Sequence, residues 1–206
     1  MRSSNSADIV RNGYNQVAEL YVEARDQWQS NPHLDRMLDR LPPDSQILDV
    51  GCGAGVPVAS YLAERGHRVV GVDVSPRQIE LARINVPEGV FEVRDMCDFK
   101  SGEFQVDAVV SFYAIFHTPR ESHGDTLRKL ASLVPRGGLL LVTMGAGEWE
   151  GEEAFFGVPM WWSHFGAEKN RELVAEAGFR IVHDEIDHSG DERHQVILGV
   201  REQRCR

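Results

Sequence analysis

The segment Ile47-Leu-Asp-Val-Gly-Cys-Gly-Ala-Gly55 runs a short aliphatic strand straight into three glycines at alternate positions, followed by Pro57 and a helical stretch. Few folds accept a strand that must turn sharply into a helix through glycines. The turn leaves backbone amides at one end of a sheet with no side chains in front of them, so a small anionic group can touch the main chain at the helix N-terminus. The spacing at Gly51, Gly53 and Gly55 is G-x-G-x-G, with Val56 where the dinucleotide fingerprint G-x-G-x-x-G has its third glycine. That departure weighs against a nicotinamide ligand.

The rest of the chain repeats the strand-and-helix unit. Residues 46–50, 68–73, 89–93, 106–112 and 139–144 are short β-branched or aliphatic runs that read as strands buried on both faces. Between them lie helical stretches at 56–65, ended by Gly66, at 76–84, and at 122–134, broken by Pro135 and Gly137-Gly138. This alternation predicts an α/β fold, its sheet mainly parallel and covered by helices on both sides.

Ahead of the core, Val10, Tyr14, Val17, Ala18 and Tyr21 recur at helical spacing, which predicts a helix over 7–29 with one apolar face. Asn31-Pro32 reads as a cap and first-turn proline for a short helix through Leu34, Met37, Leu38 and Leu41, stopped by Pro42-Pro43. After Met144 the periodicity stops, and residues 145–166 are rich in Gly, Glu and aromatics (Trp149, Phe155, Phe156, Trp161, Trp162, Phe165), reading as a long loop or lid. A helix over 167–177 closed by Gly178 leads to strands at 179–186 and 195–200, joined by a polar turn around Ser189-Gly190-Asp191 and expected to pair as an antiparallel edge hairpin. One domain is expected, with residues 1–45 as a helical cap and residues 46–206 as the core, its lid at about 145–166.

The formal net charge of −10, from 22 Lys+Arg against 32 Asp+Glu with the basic residues scattered singly, argues against a nucleic-acid partner. With 42% hydrophobic and 26% charged residues the chain matches ordinary globular usage, so disordered, collagen-like and coiled-coil readings fall away. Cys52, Cys97 and Cys205 are too few and too far apart for a disulfide framework or zinc knuckle, which fits a reducing compartment. The opening MRSSNSADIV has no signal-peptide core and no run of 18 apolar residues occurs, so a cytoplasmic protein without a membrane partner is expected. His183, Asp184, His188, Asp191 and His194 crowd the C-terminal hairpin, but strand alternation scatters them over two faces and no metal site is expected.

Chemistry-bearing residues gather at strand ends. Asp73 closes the second strand, where an acid suits ribose hydroxyls; the rival reading, a helix cap, is better filled by Ser75 before Pro76. The third strand ends in Arg94-Asp95-Met96, and the fourth leads through Ser111, Phe112 and Tyr113 to His117. Acids, glycines and aromatics at four successive strand ends are how an open α/β sheet builds a crevice along its carboxyl edge.

On these residues the chain resembles the class I S-adenosylmethionine (SAM)-dependent methyltransferases over residues 47–144, with weaker likeness towards the C-terminus. The resemblance implies a Rossmann-like, doubly wound, seven-stranded sheet, mostly parallel with an antiparallel C-terminal edge strand, and SAM as cofactor with S-adenosylhomocysteine as product. It places Asp49, Gly51, Cys52, Gly53 and Gly55 around the methionine end of SAM, Asp73 on the ribose, and Asp95 and Met96 at the adenine, with Val74 and Gln78 flanking the ring. Phe112 and Tyr113 fall near the sulfonium, and residues 133–138 match the turn before the fifth strand.

Methyl transfer from a sulfonium is an in-line displacement, so the protein chiefly aligns nucleophile, methyl and sulfur and excludes water; a base is optional. His117 is the candidate base for a hydroxyl or protonated amine, or else a histidine held by backbone. Tyr14, Tyr21 and Arg25 share one helix face. In similar small-molecule methyltransferases a helix with a Tyr-x-x-x-Ala-x-x-Tyr kind of pattern, here Tyr14, Ala18 and Tyr21, folds over the cofactor. Tyr21 is thus a second catalytic candidate, contacting the methionine part or the acceptor, and Arg25 is suited to a carboxylate or phosphate; ordinary helix packing explains the tyrosines equally well. Trp161 and Trp162 read as a wall for a flat or apolar acceptor, or alternatively as a lid anchor or dimer contact.

The expected function is transfer of a methyl group to oxygen or nitrogen of a small-molecule metabolite by a monomer or homodimer. A protein side chain as acceptor and a non-catalytic SAM-binding protein remain as alternatives. A nicotinamide-dependent oxidoreductase is opposed by the missing third glycine and the absence of a Tyr-x-x-x-Lys pair after the fourth strand. Ser111-Phe-Tyr-Ala lacks the acid or Asn, prolines and aromatic that amino-methylation of DNA bases would lead one to expect.

Overall fold

In the computed structural model, which describes residues 4–24, 31–188 and 193–202, the aliphatic runs form β1 (Gln46–Val50), β2 (Arg68–Asp73), β3 (Val90–Val93), β4 (Ala108–Ser111) and β5 (Leu139–Gly145). Four more strands follow: β6 (Trp149–Phe155), β7 (Val158–His164), β8 (Phe179–Asp187) and β9 (His194–Arg201). Seven of the nine make one sheet in the order β3-β2-β1-β4-β5-β9-β8. The first five are parallel, and β9 runs antiparallel to both its neighbours. The antiparallel C-terminal strand therefore sits one place inside the edge, which β8 occupies. Burial explains the order: β9 is almost wholly buried while β8 is mostly half-exposed, so the more apolar strand takes the interior seat.

The helices are α1 (Ser4–Glu23), α2 (Pro32–Leu38), α3 (Val58–Glu64), α4 (Pro76–Asn85), α5 (Arg120–Leu133) and α6 (Ala167–Glu176). Alternation along the strands splits the core in two. Ile47, Ala108, Val110 and Leu141 meet α2, α3 and α4 on one face. Leu48, Val109, Leu140 and Val142 meet α5 and α6 on the other. Two helix starts are set locally. Asn31 Oδ1 accepts from the amides of His33 and Leu34 at 3.1 and 2.9 Å, and Ser75 Oγ accepts from the amide of Gln78 at 3.2 Å. Helix α1 ends at Glu23, short of the expected residue 29; Arg25, the polar turn of residues 189–192 and Cys205 lie outside the described residues.

The expected long loop after Met144 is instead a β-hairpin, β6 against β7. Its turn, Phe156-Gly157, has both residues left-handed (φ 50° and 83°), the geometry of a two-residue hairpin loop. The pair reads Phe-Gly rather than Asn-Gly, and β6 is largely exposed, so neither turn chemistry nor alternation marks it in the sequence. Helix α1 packs against this hairpin where Gly13 meets fully buried Met160; a Cβ at Gly13 would lie 2.8 Å from Met160 Cε. The same helix grips α4, as Asn15 Oδ1 accepts from Ser75 Oγ at 2.7 Å and Glu19 pairs with Arg77. Helix α1 and the hairpin thus roof the carboxyl ends of β1, β2 and β4. No helix among the described residues is long and apolar enough to cross a membrane.

Candidate active site

The crevice opens where β1 passes into α3. Gly51 adopts φ 76°, and a Cβ there would lie 2.2 Å from that of Ala114, so this position admits glycine alone. Asp73, at the end of β2, pins the turn: one carboxylate oxygen accepts from the Gly53 amide at 3.0 Å and the other from the Ser75 amide at 2.8 Å. With the Val74 amide also directed at it, the carboxylate's roughly four lone-pair sites leave at least one for a further donor. Burial raises the Asp73 pKa above the usual carboxylate value, against the pull of these amides and that of Val74. Asp95 caps the short turn after β3, accepting from the Cys97 amide at 2.8 Å.

One cavity collects most residues singled out for the cofactor: Asp49, Gly51, Cys52, Gly53, Asp73, Val74, Asp95, Met96 and Phe112 all line it, together with Tyr14, Tyr21, Tyr113 and His117. Gly55 and Gln78 do not line it. Gly55 (φ 77°) lets the turn seat against α4, where a Cβ would lie 3.1 Å from Val86 Cγ2. Gln78 is fully buried behind Gly53, and its side-chain amide has no hydrogen-bond partner among the described residues. Burial, then Asp49 and Asp73, push the Cys52 thiol well above its ordinary pKa, so it stays protonated and is no nucleophile. Sequence reasoning missed Ser6, Ala7 and Val10 of α1 and Arg94 and Thr118 as lining residues. Extending the Tyr14 helix face backwards by a turn or two finds Val10 and Ala7.

His117 sits in a short 3₁₀ turn after β4, buried among aromatic rings. Its Nδ1 is 2.7 Å from the carbonyl oxygen of Trp161 and its Nε2 is 2.8 Å from the hydroxyl of Tyr14. A carbonyl only accepts, so Nδ1 carries the proton; Nε2 is then the acceptor and the Tyr14 hydroxyl donates to it. Burial lowers the His117 pKa to about 4, with the Trp161 carbonyl opposing and His164 assisting, so the ring is neutral near pH 7. The ring thus lines the cavity while a backbone carbonyl orients it.

Tyr14, Tyr21 and Phe155 stack edge to face with centroids 5.6 to 6.0 Å apart, forming an aromatic roof. Trp161 lines neither this cavity nor the second one beside Trp162; its contribution is the carbonyl that holds His117. The Trp162 ring lies 5.5 Å from that of His117 and faces a second cavity of about 460 Å³, shared with Phe116, Trp149, His164, Arg193 and His194. Tyr113 is held left-handed (φ 55°), its amide donating to Thr143 Oγ1, and its ring meets His194 edge-on at 4.9 Å. Tyr113 lines the first cavity and His194 the second, so their contact is part of the wall between the two.

Residues 23–184 match a family model described as a methyltransferase domain. Among curated proteins, the chain is 29% identical over 124 residues to the 2-heptyl-1-hydroxyquinolin-4(1H)-one methyltransferase of Mycobacteroides abscessus, covering 56% of this chain and 54% of the relative. It is 36% identical over 102 residues to the magnesium-protoporphyrin O-methyltransferase of Rhodobacter capsulatus, covering 46% and 44%. The chain thus spans about half the length of the curated relatives it matches. Among solved structures, the magnesium protoporphyrin IX methyltransferase of Synechocystis PCC 6803 with bound S-adenosylhomocysteine superposes with a TM-score of 0.75 at 17% identity, covering 96% of this chain and all of that one.

Proposed function

The chain belongs to the methyltransferase domain family, and from that membership we propose that it binds SAM in the roofed cavity and transfers the methyl group to oxygen or nitrogen of a small planar acceptor. The observation that carries the reading is the Tyr14–His117 pair standing over a glycine turn whose acid, Asp73, keeps a lone pair towards the cavity. The donor set fits the cofactor: the open turn for its amino-acid end, Asp73 for ribose hydroxyls, Asp95 and Met96 for the adenine. When bound, SAM supplies an electrophilic methyl on sulfur.

The residues of this chain do the rest. Helix α1 and the hairpin exclude water, and Tyr14 and Tyr21 restrict where an acceptor lies. The Tyr14 hydroxyl donates to His117 Nε2, and its oxygen is the group towards which the acceptor's O–H or N–H is turned. A proton released on transfer passes by way of Tyr14 to Nε2, while Nδ1–H stays on the Trp161 carbonyl. Neutral His117 is a weak base, so the arrangement suits an acceptor that is already acidic and mainly orients its lone pair.

The aromatic rings of Tyr14, Tyr21 and Tyr113 in the roofed cavity favour a planar acceptor. The names of the Mycobacteroides and Rhodobacter relatives, a hydroxyquinolone and a magnesium-protoporphyrin methyltransferase, agree with that shape. The test is thermal unfolding with S-adenosylhomocysteine and, as control, NAD. At 100-fold its dissociation constant a ligand adds about 2.7 kcal/mol, or roughly 5–10 °C for a domain of this size. A shift with S-adenosylhomocysteine alone, followed by label transfer from methyl-labelled SAM to a planar phenol or N-heterocycle, supports the proposal. Binding without transfer to any such acceptor, or to a protein, marks a non-catalytic SAM-binding protein; a shift with NAD alone removes the reading.

A further inference from the structure

His33, one residue into α2, faces His183 and Glu185 of the edge strand β8, far from both cavities in their lining residues. The donor atoms of the three side chains all lie within 4.8 Å of one another. His33 Nδ1 is a buried atom with no hydrogen-bond partner among the described residues, an anomaly for a polar nitrogen shielded from water, and the buried His183 Nε2 has only the Glu185 carboxylate near it. Glu185 Oε2 stands 3.2 Å from His183 Nε2, close to the spacing of about 3.3 Å between two ligands on one tetrahedral ion with bonds near 2.0–2.1 Å.

A β-bulge makes this meeting possible. The β8–β9 register slips between Ile181 and His183, so His183 lies across from Leu198 and Glu185 across from Val196. Both partners belong to the core face that α2 covers, whereas Ile197, across from Asp184, belongs to the other. Without the extra residue, His183 and Glu185 would point to the α6 side. Asp184 does point there, where it pairs with Arg171 and accepts from Gln195. Hairpin alternation therefore scatters the residues crowded in the sequence, and the third ligand comes from α2.

We propose that His33, His183 and Glu185 bind one divalent ion of the zinc type, leaving a position for water, and that this ion staples α2 to the sheet edge. Two imidazoles and one carboxylate are the donor set of borderline metals, Zn²⁺, Co²⁺ or Ni²⁺, rather than of Mg²⁺ or Ca²⁺. The positive charge of Arg36, on α2 and close to His183, opposes a cation, so the ion is held by direct bonds and not by field alone.

The test is Co²⁺ titration of the tag-free full chain, read by its d–d absorption, with Zn²⁺ competition and thermal unfolding. Saturation at one ion per chain, displacement by Zn²⁺, and a rise in Tm of about 5–10 °C at 100-fold the dissociation constant are expected. His33→Ala and Glu185→Gln, both at sites not wholly buried, should each weaken binding by tenfold or more while keeping native circular dichroism and an unchanged S-adenosylhomocysteine shift. No saturable Co²⁺ signal in the parent chain, or one that both variants retain, overturns the site. Since neither result depends on SAM, the outcome is independent of the methyl-transfer reading.

Discussion

The Tyr14 hydroxyl lies 2.8 Å from His117 Nε2, joining the cap helix to the turn after β4 across 103 residues of sequence. The contact both closes the roof and sets the proton on the tyrosine side. Tyr14→Phe removes the donor and leaves a buried ring nitrogen without its partner. We expect the S-adenosylhomocysteine thermal shift to persist, turnover to fall by tenfold or more, and stability to drop by about 1–2 kcal/mol. His117→Ala should likewise bind S-adenosylhomocysteine and transfer slowly; unchanged turnover in both variants would remove the pair from the mechanism.

Asp73 serves the fold and the cofactor together. Asp73→Ala deprives the Gly53 and Ser75 amides of their acceptor, so calorimetry should show no S-adenosylhomocysteine binding. Chemical denaturation should show a loss of about 2–3 kcal/mol. Asp73→Asn retains one acceptor oxygen and should recover part of the stability but little of the affinity. Full affinity in the asparagine variant would argue against a ribose contact.

Acid should weaken the fold through two buried histidines. Burial is the first cause that brings His117 and His123 to about 4, below the unfolded value near 6.5. Their contribution is complete above pH 6.5. As the pH falls from there towards 4, the unfolded chain takes up protons that the native chain refuses, and stability declines by up to about 1.4 kcal/mol per pH unit per histidine. Urea unfolding between pH 7.5 and 5 should show this slope, and His123→Gln should remove about half of it. An identical slope in that variant would contradict the assignment.

Gly51→Ala tests the turn itself. Its Cβ has no room beside Ala114 and its backbone is left-handed, so the β1–α3 turn must open. A loss of about 2–4 kcal/mol and of the S-adenosylhomocysteine shift is expected. Gly102→Ala, also left-handed but with nothing within 4 Å of its Cβ, is the control: it should cost about 1 kcal/mol and leave the shift intact.

Much of this architecture is legible before any coordinate. The parallel strands β1, β2, β4 and β5 appear as aliphatic runs because they are largely buried on both faces, whereas β3, at the sheet edge, buries only Phe91; the starts of α2 and α4 are announced by Asn31 and Ser75, whose caps reach only two or three residues ahead. The hairpin of β6 and β7 is hidden because β6 faces solvent on both sides and the Phe156-Gly157 turn lacks the usual polar residue. The resemblance sets Gln78 beside the adenine ring, yet the turn of α4 directs it behind Gly53.

By itself the sequence determined what short-range forces decide: which segments of the parallel core are strands or helices, where α2 and α4 begin, and that a glycine turn ends β1 at the sheet's carboxyl edge. Hydrogen bonds and side-chain periodicity within a few residues carry that information. Tertiary structure alone decided that Tyr14 would donate to His117, that the Trp161 carbonyl would choose its tautomer, that β9 would lie inside β8, and that a bulge would turn His183 towards His33. Each joins groups far apart along the chain, and the sheet order and the packing of the cap, which set those distances, are the sum of many weak contacts that no local pattern records.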